Sequence, residues 1–365
     1  MKLRDRVNPH ILELDAYQPG KPIEELEREL GISDSIKLAS NENPNGASKQ
    51  VVEAIRGAAT EIHRYPDGAC FALRARLAGD LGVEPSQLVF GCGADEILEL
   101  LAKVLLAPGD EVVFAWPSFA MYPIVARGMG ALPVPVPLDA KLCHDLDAMA
   151  DAISDATKLV FVCNPNNPTG TSIGAEAFGA FMQRVPEGVV VAIDEAYGPF
   201  AAREDFPDAL AFVARRPGTI VMRTFSKVFG LAGLRVGFGV ADTELAGYLE
   251  RARHPFNVNR MAEVAALAAL DDRDFVEMTL RENAAGRDFL TCELRAKGFE
   301  VWPSDANFVL VRAGVDVYDP LLAEGVIVRP MAGFGLPDCV RVSVGTAREN
   351  RRFVEALCTV TGAGR

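Results

Sequence analysis

The sequence has few of the features that metal sites, disulfides and membrane spans require. Its 365 residues include four histidines and seven cysteines, and neither set shows the spacing of a zinc site. No run approaches the roughly 18 apolar residues of a membrane-spanning helix. The charged start over residues 1–10 also lacks the apolar core of a signal peptide. We therefore expect a cytoplasmic protein with no metal, no disulfide and no membrane partner.

Positive charge is scarce as well. The chain has 37 Lys and Arg against 50 Asp and Glu, a net charge of −13, and no basic cluster. Nucleic-acid binding needs clustered positive charge, so nucleic acid is not an expected partner. An acidic protein that binds phosphorylated ligands must concentrate arginine at its site, because its overall field repels anions. Arg235, Arg329 and Arg341 are the candidates for that role.

The length exceeds the usual size of one hydrophobic core, and the apolar share is 49%. From residue 70 apolar strands alternate with helices, which predicts a mostly parallel sheet covered on both faces. Beyond about residue 256 two helices are followed by short strands with helices between them. We predict an N-terminal arm over residues 1–35, a large doubly wound α/β domain over 36–255 and a small α+β domain over 256–365.

One lysine has an unusual setting. Lys227 follows the apolar run 219–222, which predicts a buried strand, and ligand sites in open α/β sheets lie beyond the carboxyl ends of such strands. The preceding Ser226 can donate to a phosphate oxygen, and Arg235 offers a planar, permanently charged fork. We expect Arg235 to begin a strand over 235–241. The segment predicts a reactive amine beside a phosphate site.

A second phosphate element is predicted at the turn over residues 91–96, before an apolar helix over 97–106. The free amides at a helix start favour an anion at Gly93, Ala94 and Asp95. The turn lacks the third glycine of a dinucleotide fingerprint and the lysine of a P-loop. Neither NAD nor ATP is therefore expected.

Polar residues also follow two other predicted buried strands. The strand over 158–163 leads into residues 164–170, a rigid turn with two prolines and three asparagines. The strand over 189–193 is followed by Asp194, and Tyr197 lies three residues further along the chain. By themselves these segments would be an ordinary turn and an ordinary polar strand end.

Together these segments resemble the fold-type I aminotransferases, which use pyridoxal 5'-phosphate (PLP). Residues 223–238 are similar to the Schiff-base lysine signature of that family. Three further motifs match the family: Asn-Glu-Asn-Pro at 41–44, Arg-Tyr-Pro at 64–66 and the turn at 164–170. The matches span residues 37–345, and they imply the fold-type I architecture and PLP as cofactor.

The resemblance implies a role for each matching residue. Lys227 would hold PLP and act as general base. Asp194 would face the ring nitrogen, Asn167 and Tyr197 would share the 3'-oxygen, and Phe119 would stack on the ring, although Tyr122 is also placed for stacking. The phosphate would be bound by Gly93, Ala94, Asp95, Ser226 and Arg235.

The resemblance also implies a homodimer with shared active sites, in which Tyr65 of one subunit reaches the phosphate of the other. The substrate anion would be bound by Arg341, with Arg329 nearby, and Tyr17, Tyr65 and Asn167 are further substrate-binding candidates. From composition alone, Tyr17 would be a packing or surface residue of the arm. A structural ion pair is the alternative role for Arg341.

Within the family, the chain is most similar to the histidinol-phosphate aminotransferases of histidine biosynthesis. Their reaction passes the amino group of histidinol phosphate to 2-oxoglutarate in two half-reactions. Aromatic amino acid aminotransferases share every motif, and Arg341 suits a carboxylate as well as a phosphate, so that alternative stays open. A PLP-dependent decarboxylase of a phosphorylated amino acid also shares the fold. A PLP-sensing regulator would need a DNA-binding module, which 35 leading residues are too few to form.

Overall fold

The computed structural model describes residues 2–12, 14, 16 and 19–363. Tyr17, a candidate substrate-binding residue, lies outside them. The helices are α1 (Pro9–Leu12), α2 (Ile23–Leu30), α3 (Lys49–Ala58), α4 (Phe71–Leu81), α5 (Ala94–Leu105), α6 (Met121–Gly128), α7 (Leu146–Asp151), α8 (Ala175–Arg184), α9 (Ala209–Arg215), α10 (Thr243–Ala252), α11 (Arg260–Asp271), α12 (Arg273–Ala296), α13 (Tyr318–Ala323) and α14 (Ala347–Thr361). None of the helices within the described residues is both long and apolar enough to cross a membrane.

The strands form three sheets. In chain order they are β1 (Ile36–Lys37), β2 (Leu88–Gly91), β3 (Glu111–Trp116), β4 (Leu132–Pro137), β5 (Thr157–Cys163), β6 (Val190–Asp194), β7 (Thr219–Thr224), β8 (Gly237–Ala241), β9 (Glu300–Val301), β10 (Phe308–Arg312), β11 (Val326–Ile327), β12 (Arg329–Pro330) and β13 (Cys339–Ser343).

The largest sheet has the order β2-β8-β7-β6-β5-β3-β4. Strands β3 to β7 run parallel, and β8 is antiparallel to both of its neighbours. Alternate residues of each strand point to opposite faces, so Val160 and Ile193 pack in one apolar cluster while Phe161 and Ala192 pack in the other. Helices cover both faces, which explains the continuous apolar runs in the sequence. The predicted doubly wound fold is confirmed.

The bounds of two elements differ from the sequence prediction. Helix α5 begins at Ala94, three residues before the apolar run, with Asp95 and Glu96 in its first turn. Strand β8 begins at Gly237, so the expectation that Arg235 starts that strand is wrong. Arg235 has a left-handed φ of 57°. A Cβ at Gly237 would lie 2.5 Å from the Ala94 nitrogen, so the start of α5 packs against the start of β8.

The C-terminal part of the chain contains a four-stranded antiparallel sheet of order β12-β13-β10-β9. Helices α12 and α14 pack on it around Leu290, Leu294 and Phe353. Strand β1 pairs in parallel with β11. The Leu38 amide donates to the Ile327 carbonyl at 2.7 Å, and the Ser343 amide donates to the Leu38 carbonyl at 2.9 Å. Residues 38–46 therefore run from this sheet to the edge of the larger one.

Candidate active site

A cavity of about 240 Å³ lies where β5, β6 and β7 end. Because the carboxyl ends of parallel strands meet at one edge, this is the expected place for a site in an α/β sheet. Residues from distant parts of the sequence line it: Ser40, Glu42, Ala94, Asp95, Phe119, Cys163, Asn167, Asp194, Ala196, Tyr197, Thr224, Ser226, Lys227, Ala232 and Arg235. Nine residues predicted from the sequence are among them.

Lys227 reaches the cavity three residues after β7 ends. Its Nζ donates to the Ser40 carbonyl at 3.2 Å and lies 5.6 Å from the centre of the Tyr197 ring. Removal from bulk water, reinforced by the positive charge of Arg341, lowers the pKa of the Lys227 amine to about 8. A larger fraction of this amine is therefore neutral near pH 7 than of an ordinary lysine, and a neutral amine can act as nucleophile or base.

Asp194 is the last residue of β6 and also lines the cavity. One carboxylate oxygen accepts from the Tyr122 hydroxyl at 2.9 Å, and the other accepts from the Ala196 amide at 3.0 Å. Burial raises the pKa of Asp194, and these two hydrogen bonds oppose that shift. A cation placed against this carboxylate would favour its ionised form.

Tyr122 has a different position from Phe119. Its ring is fully buried and stacked on Phe161, with 4.5 Å between ring centres, and its hydroxyl bonds to Asp194. Phe119 lines the cavity instead. Of the two aromatic residues that we considered for ring stacking, only Phe119 is placed for that role. The contact of Tyr122 with Asp194 was not predicted, because no pattern in the sequence indicates it.

The turn at residues 164–170 places Asn167 beside Arg341. Asn166 braces the turn by donating to the Pro117 carbonyl at 3.1 Å and the Thr169 hydroxyl at 2.9 Å. Asn167 accepts a hydrogen bond from Arg341, which also donates to the Ala39 carbonyl at 2.6 Å. These contacts fix both side chains at the cavity edge.

Arg341 and Arg329 lie next to each other. They are directly opposite in the antiparallel pair of β13 and β12, so their side chains leave the same face of the sheet. Arg341 is only 8% exposed. Arg329 is partly exposed, and neither arginine is among the residues that line the cavity. Arg341 is brought to the other predicted residues by its hydrogen bond to Asn167, which does line the cavity.

Asn41 is a site residue that we did not assign from the sequence. Its Nδ2 donates to the Tyr197 hydroxyl at 2.9 Å. Ser343 fixes the position of Asn41. Its hydroxyl accepts from the backbone N–H of Asn41 at 2.8 Å and donates to Asn41 Oδ1 at 3.0 Å. Burial raises the pKa of Tyr197, so its hydroxyl stays protonated and can donate into the cavity. The Asn-Glu-Asn-Pro motif was the only signal in the sequence.

The start of α5 forms an anion cradle. Its N-cap, Gly93, has a φ of +78°, and a Cβ there would lie 2.5 Å from Arg235 Nη2. Only glycine leaves room for that guanidinium, which also pairs with Asp95 at 3.0 Å. Free amides at the helix start and Arg235 together favour an anion here. Gly93, Ala94, Asp95 and Arg235 are therefore brought together as predicted.

The remaining candidate, Tyr65, lies outside this cavity. It is 82% exposed and stacks on Phe256, with ring centres 4.7 Å apart. Phe71 and Ile62 are also exposed, at 73% and 69%. Within the described residues of this chain, Tyr65 is therefore not brought to Lys227.

Comparison with known proteins gives one consistent family. The family model "Aminotransferase class I and II" matches residues 33–357. A histidinol-phosphate aminotransferase of Akkermansia muciniphila is 48% identical over 361 residues, which cover 98% of this chain and 99% of that protein. Histidinol-phosphate aminotransferase 2 of Pseudomonas aeruginosa is 48% identical over 354 residues, with 96% of each chain covered.

Solved structures give the same result for the fold. A histidinol-phosphate aminotransferase of Sinorhizobium meliloti, solved in complex with pyridoxal-5'-phosphate, matches with a TM-score of 0.89 at 30% identity, covering 98% of both chains. A mutant aspartate aminotransferase of Thermus thermophilus matches with a TM-score of 0.84 at 25% identity, covering 97% of this chain and 99% of that one. The similarity therefore extends over all three sheets.

Proposed function

The chain belongs to the aminotransferase class I and II family, and from this premise we propose that it transfers the amino group of histidinol phosphate to 2-oxoglutarate. The products are imidazole acetol phosphate and glutamate. The observation that carries the chemistry is one cavity in which a lysine of lowered pKa faces a buried aspartate. The choice of donor rests on the 48% identity to relatives that bear that name.

The residues present fit PLP at several points. Because Gly93 has no Cβ, the Arg235 guanidinium can lie against the start of α5, where it supplies the charge for a phosphate dianion. The Lys227 amine suits an aldehyde, and Asp194 suits a protonated pyridine nitrogen. Phe119 lines the cavity where a ring face can be covered.

When bound, PLP withdraws electrons from an attached amino substrate and makes its α-hydrogen acidic. Lys227 accepts and returns that proton at Nζ, which its lowered pKa permits near neutral pH. Asp194 supplies the negative charge that a protonated ring nitrogen requires. The hydroxyl of Tyr197, oriented by Asn41, and the side-chain amide of Asn167 would be the groups that hold the phenolic oxygen of the cofactor.

We assign the substrate anion to Arg341. Its guanidinium is held by the Asn167 and Ala39 oxygens, so binding an anion requires little reorganisation. Arg329 on the same sheet face adds a second positive charge. In a chain with a net charge of −13, these two residues concentrate positive charge where a phosphate would bind.

We also propose a cytoplasmic homodimer. Tyr65 and Phe256 stack on each other at the surface, and Ile62 and Phe71 are exposed as well, and exposed large apolar side chains of this kind support an interface. In the dimer, Tyr65 would contact the phosphate in the partner's site. All seven cysteines are free thiols, as is usual in a reducing compartment.

The direct test offers the purified enzyme histidinol phosphate, phenylalanine, tyrosine and aspartate separately, each with 2-oxoglutarate, and follows glutamate formation. We expect histidinol phosphate to give the highest kcat/KM. A preference for phenylalanine or tyrosine would reassign the protein to the aromatic alternative. In a separate reaction with a phosphorylated amino acid and no 2-oxoglutarate, release of carbon dioxide would favour the decarboxylase.

A further inference from the structure

The two arginines that we assign to the substrate anion belong to the C-terminal four-stranded sheet, whereas Lys227 and Asp194 follow or end strands of the larger sheet. Arg341 lies on β13, in the middle of the smaller sheet. Arg329 lies on β12, an edge strand of two residues. An edge strand is held by hydrogen bonds on one side only. The position of Arg329 relative to the reacting atoms therefore depends on what holds β12 against the larger sheet.

The segment that follows β12 is a compact turn. Met331 is fully buried, and its carbonyl accepts from the backbone N–H of Phe334 at 2.9 Å and of Leu336 at 3.1 Å. The Met331 amide donates to the carbonyl of Cys339, the first residue of β13, at 3.1 Å. These bonds tie the turn to β12 and β13. Phe334 therefore has a fixed position relative to both strands.

The ring of Phe334 stacks on Trp116, which is the last residue of β3 in the larger sheet. The ring centres are 5.7 Å apart and the ring planes differ by 18°. Both side chains are partly buried. Stacked aromatic pairs of this geometry stabilise a structure beyond the effect of the area that they bury. The stack is therefore a stabilising contact between the turn after β12 and the larger sheet.

Trp116 is in turn tied to the active site. Asn166 donates through Nδ2 to the Pro117 carbonyl at 3.1 Å, and the Ser118 hydroxyl donates to Asn166 Oδ1 at 2.7 Å. Asn166 belongs to the turn over residues 164–170, which also contributes a residue to the lining of the cavity. The ring on which Phe334 stacks therefore has a defined position relative to the cavity.

Other contacts between the two sheets are made from β13. Arg341 bonds to Asn167, and Ser343 bonds to the loop that follows β1. Strand β13 lies in the middle of the four-stranded sheet, so these contacts fix its centre. The stack of Phe334 acts instead at the β12 edge, where Arg329 lies.

From this geometry we propose that Phe334 is a positioning residue, whose stack on Trp116 holds β12 so that Arg329 stays beside Arg341 at the anionic end of the substrate. The inference rests on the proposed function, in which these two arginines bind that anion. Phe334 acts through Arg329 and not on the reacting atoms. Loss of its ring should therefore weaken substrate binding and leave proton transfer at Lys227 unchanged.

The test follows one half-reaction of the PLP-loaded enzyme by the absorbance of the cofactor, with histidinol phosphate and, separately, with L-glutamate. In Phe334→Ala the concentration of either donor that gives the half-maximal rate should rise about 3- to 10-fold, the factor expected for one aromatic pair. The maximal rate should change by less than about twofold, because only binding is affected. Phe334→Tyr keeps the ring and should behave as the wild type.

Two further variants separate positioning from packing. Phe334→Leu keeps apolar volume without an aromatic ring, so it provides the same test if the alanine variant does not fold. Leu336→Ala is the matched control, because Leu336 lies on the same turn and packs against the same apolar cluster as Phe334. We expect Leu336→Ala to lower the melting temperature and to leave the affinity for both donors unchanged.

A double variant tests whether Phe334 acts through Arg329. Arg329→Gln alone should weaken the binding of both donors, because it removes a charge from the anion site. Adding Phe334→Leu to Arg329→Gln should weaken binding no further, since the group that Phe334 positions is already absent. Additive losses would show that Phe334 acts by another route.

Four results would overturn the proposal: unchanged affinity in Phe334→Ala and Phe334→Leu, an equal loss of affinity in Leu336→Ala, unchanged affinity in Arg329→Gln, or additive losses in the double variant. L-glutamate is the amino product of the proposed reaction, so its series does not depend on which amino donor the enzyme prefers. A wild-type enzyme that rejects histidinol phosphate would contradict the proposed donor, while the glutamate series would still decide the role of Phe334.

Discussion

At the scale of single residues, burial controls the chemistry of Lys227. Loss of hydration and the charge of Arg341 lower its pKa to about 8, so the amine is mostly protonated at pH 6.5 and mostly neutral at pH 9. Only the neutral amine attacks an aldehyde. In cofactor-free enzyme, the rate of PLP incorporation should rise with pH, with a midpoint near 8.

The absorbance of bound cofactor, followed after mixing at each pH, measures this rate. Arg341→Gln should move the midpoint upward, because it removes a positive charge that disfavours protonation. A rate that is independent of pH, or a midpoint at the ordinary lysine value of 10.5, would contradict the assigned environment of Lys227.

Asp194 supports a second prediction at this scale. Asp194→Asn should retain PLP but slow turnover on the order of 100-fold or more, because a neutral amide does not stabilise a protonated ring nitrogen. Tyr122→Phe is the matched control, since it removes one hydrogen bond to the carboxylate and leaves its charge. We expect it to keep most of the activity. Equal turnover of Asp194→Asn and wild type, at equal cofactor occupancy, would exclude Asp194 from the mechanism.

At the scale of elements, the conformation of Gly93 decides whether α5 can receive a phosphate. Gly93→Ala would place a Cβ 2.5 Å from Arg235 Nη2 in a backbone of φ +78°. Strain of about 1 to 3 kcal/mol and displacement of Arg235 should weaken PLP binding about tenfold or more. Equilibrium titration of cofactor-free protein measures this effect.

The control is Gly179→Ala, within helix α8, where a Cβ would meet no neighbouring atom. Because alanine is the better helix former, this variant should be more stable by up to about 1 kcal/mol and should bind PLP normally. If both variants bound PLP as the wild type does, the cradle at α5 would not be the phosphate site.

The central residues of the helices and strands could be predicted from the sequence, while the residues at which several of them begin or end could not. Apolar runs such as 158–163 predicted β5 because both faces of a parallel strand are buried. The start of β8 at Gly237 depends instead on the close approach of Ala94, a contact that no local pattern encodes. The contact of Asn41 with Ser343 joins residues 302 positions apart, so the motif that contains Asn41 could be recognised but its partner could not be predicted.

At the scale of the whole molecule, the role of Tyr65 decides whether each active site is complete within one chain or is shared between two chains. Tyr65 is exposed and is not among the residues that line the cavity, which is compatible with a role in the site of a partner. If sites are shared, refolding Lys227→Ala together with Tyr65→Ala gives hybrid dimers with one intact site. Random pairing makes half of the dimers hybrid, so activity should recover to roughly a quarter of wild type.

Two controls make this measurement decisive. The residual activity of Tyr65→Ala alone is subtracted, and hybrid formation is checked by tagging one of the two variants. If hybrids form and the mixture is no more active than its parents, Tyr65 acts within its own subunit or has no role in the site.

The central claim is that Lys227 is the amine that carries the cofactor. Borohydride reduction of the PLP-loaded enzyme fixes the cofactor on whichever lysine holds it, and peptide mapping by mass spectrometry then locates the pyridoxyl group. We predict a single labelled peptide containing Lys227, no labelled peptide in Lys227→Ala, and loss of turnover in that variant. A pyridoxyl group on another lysine of the wild-type enzyme would contradict the account.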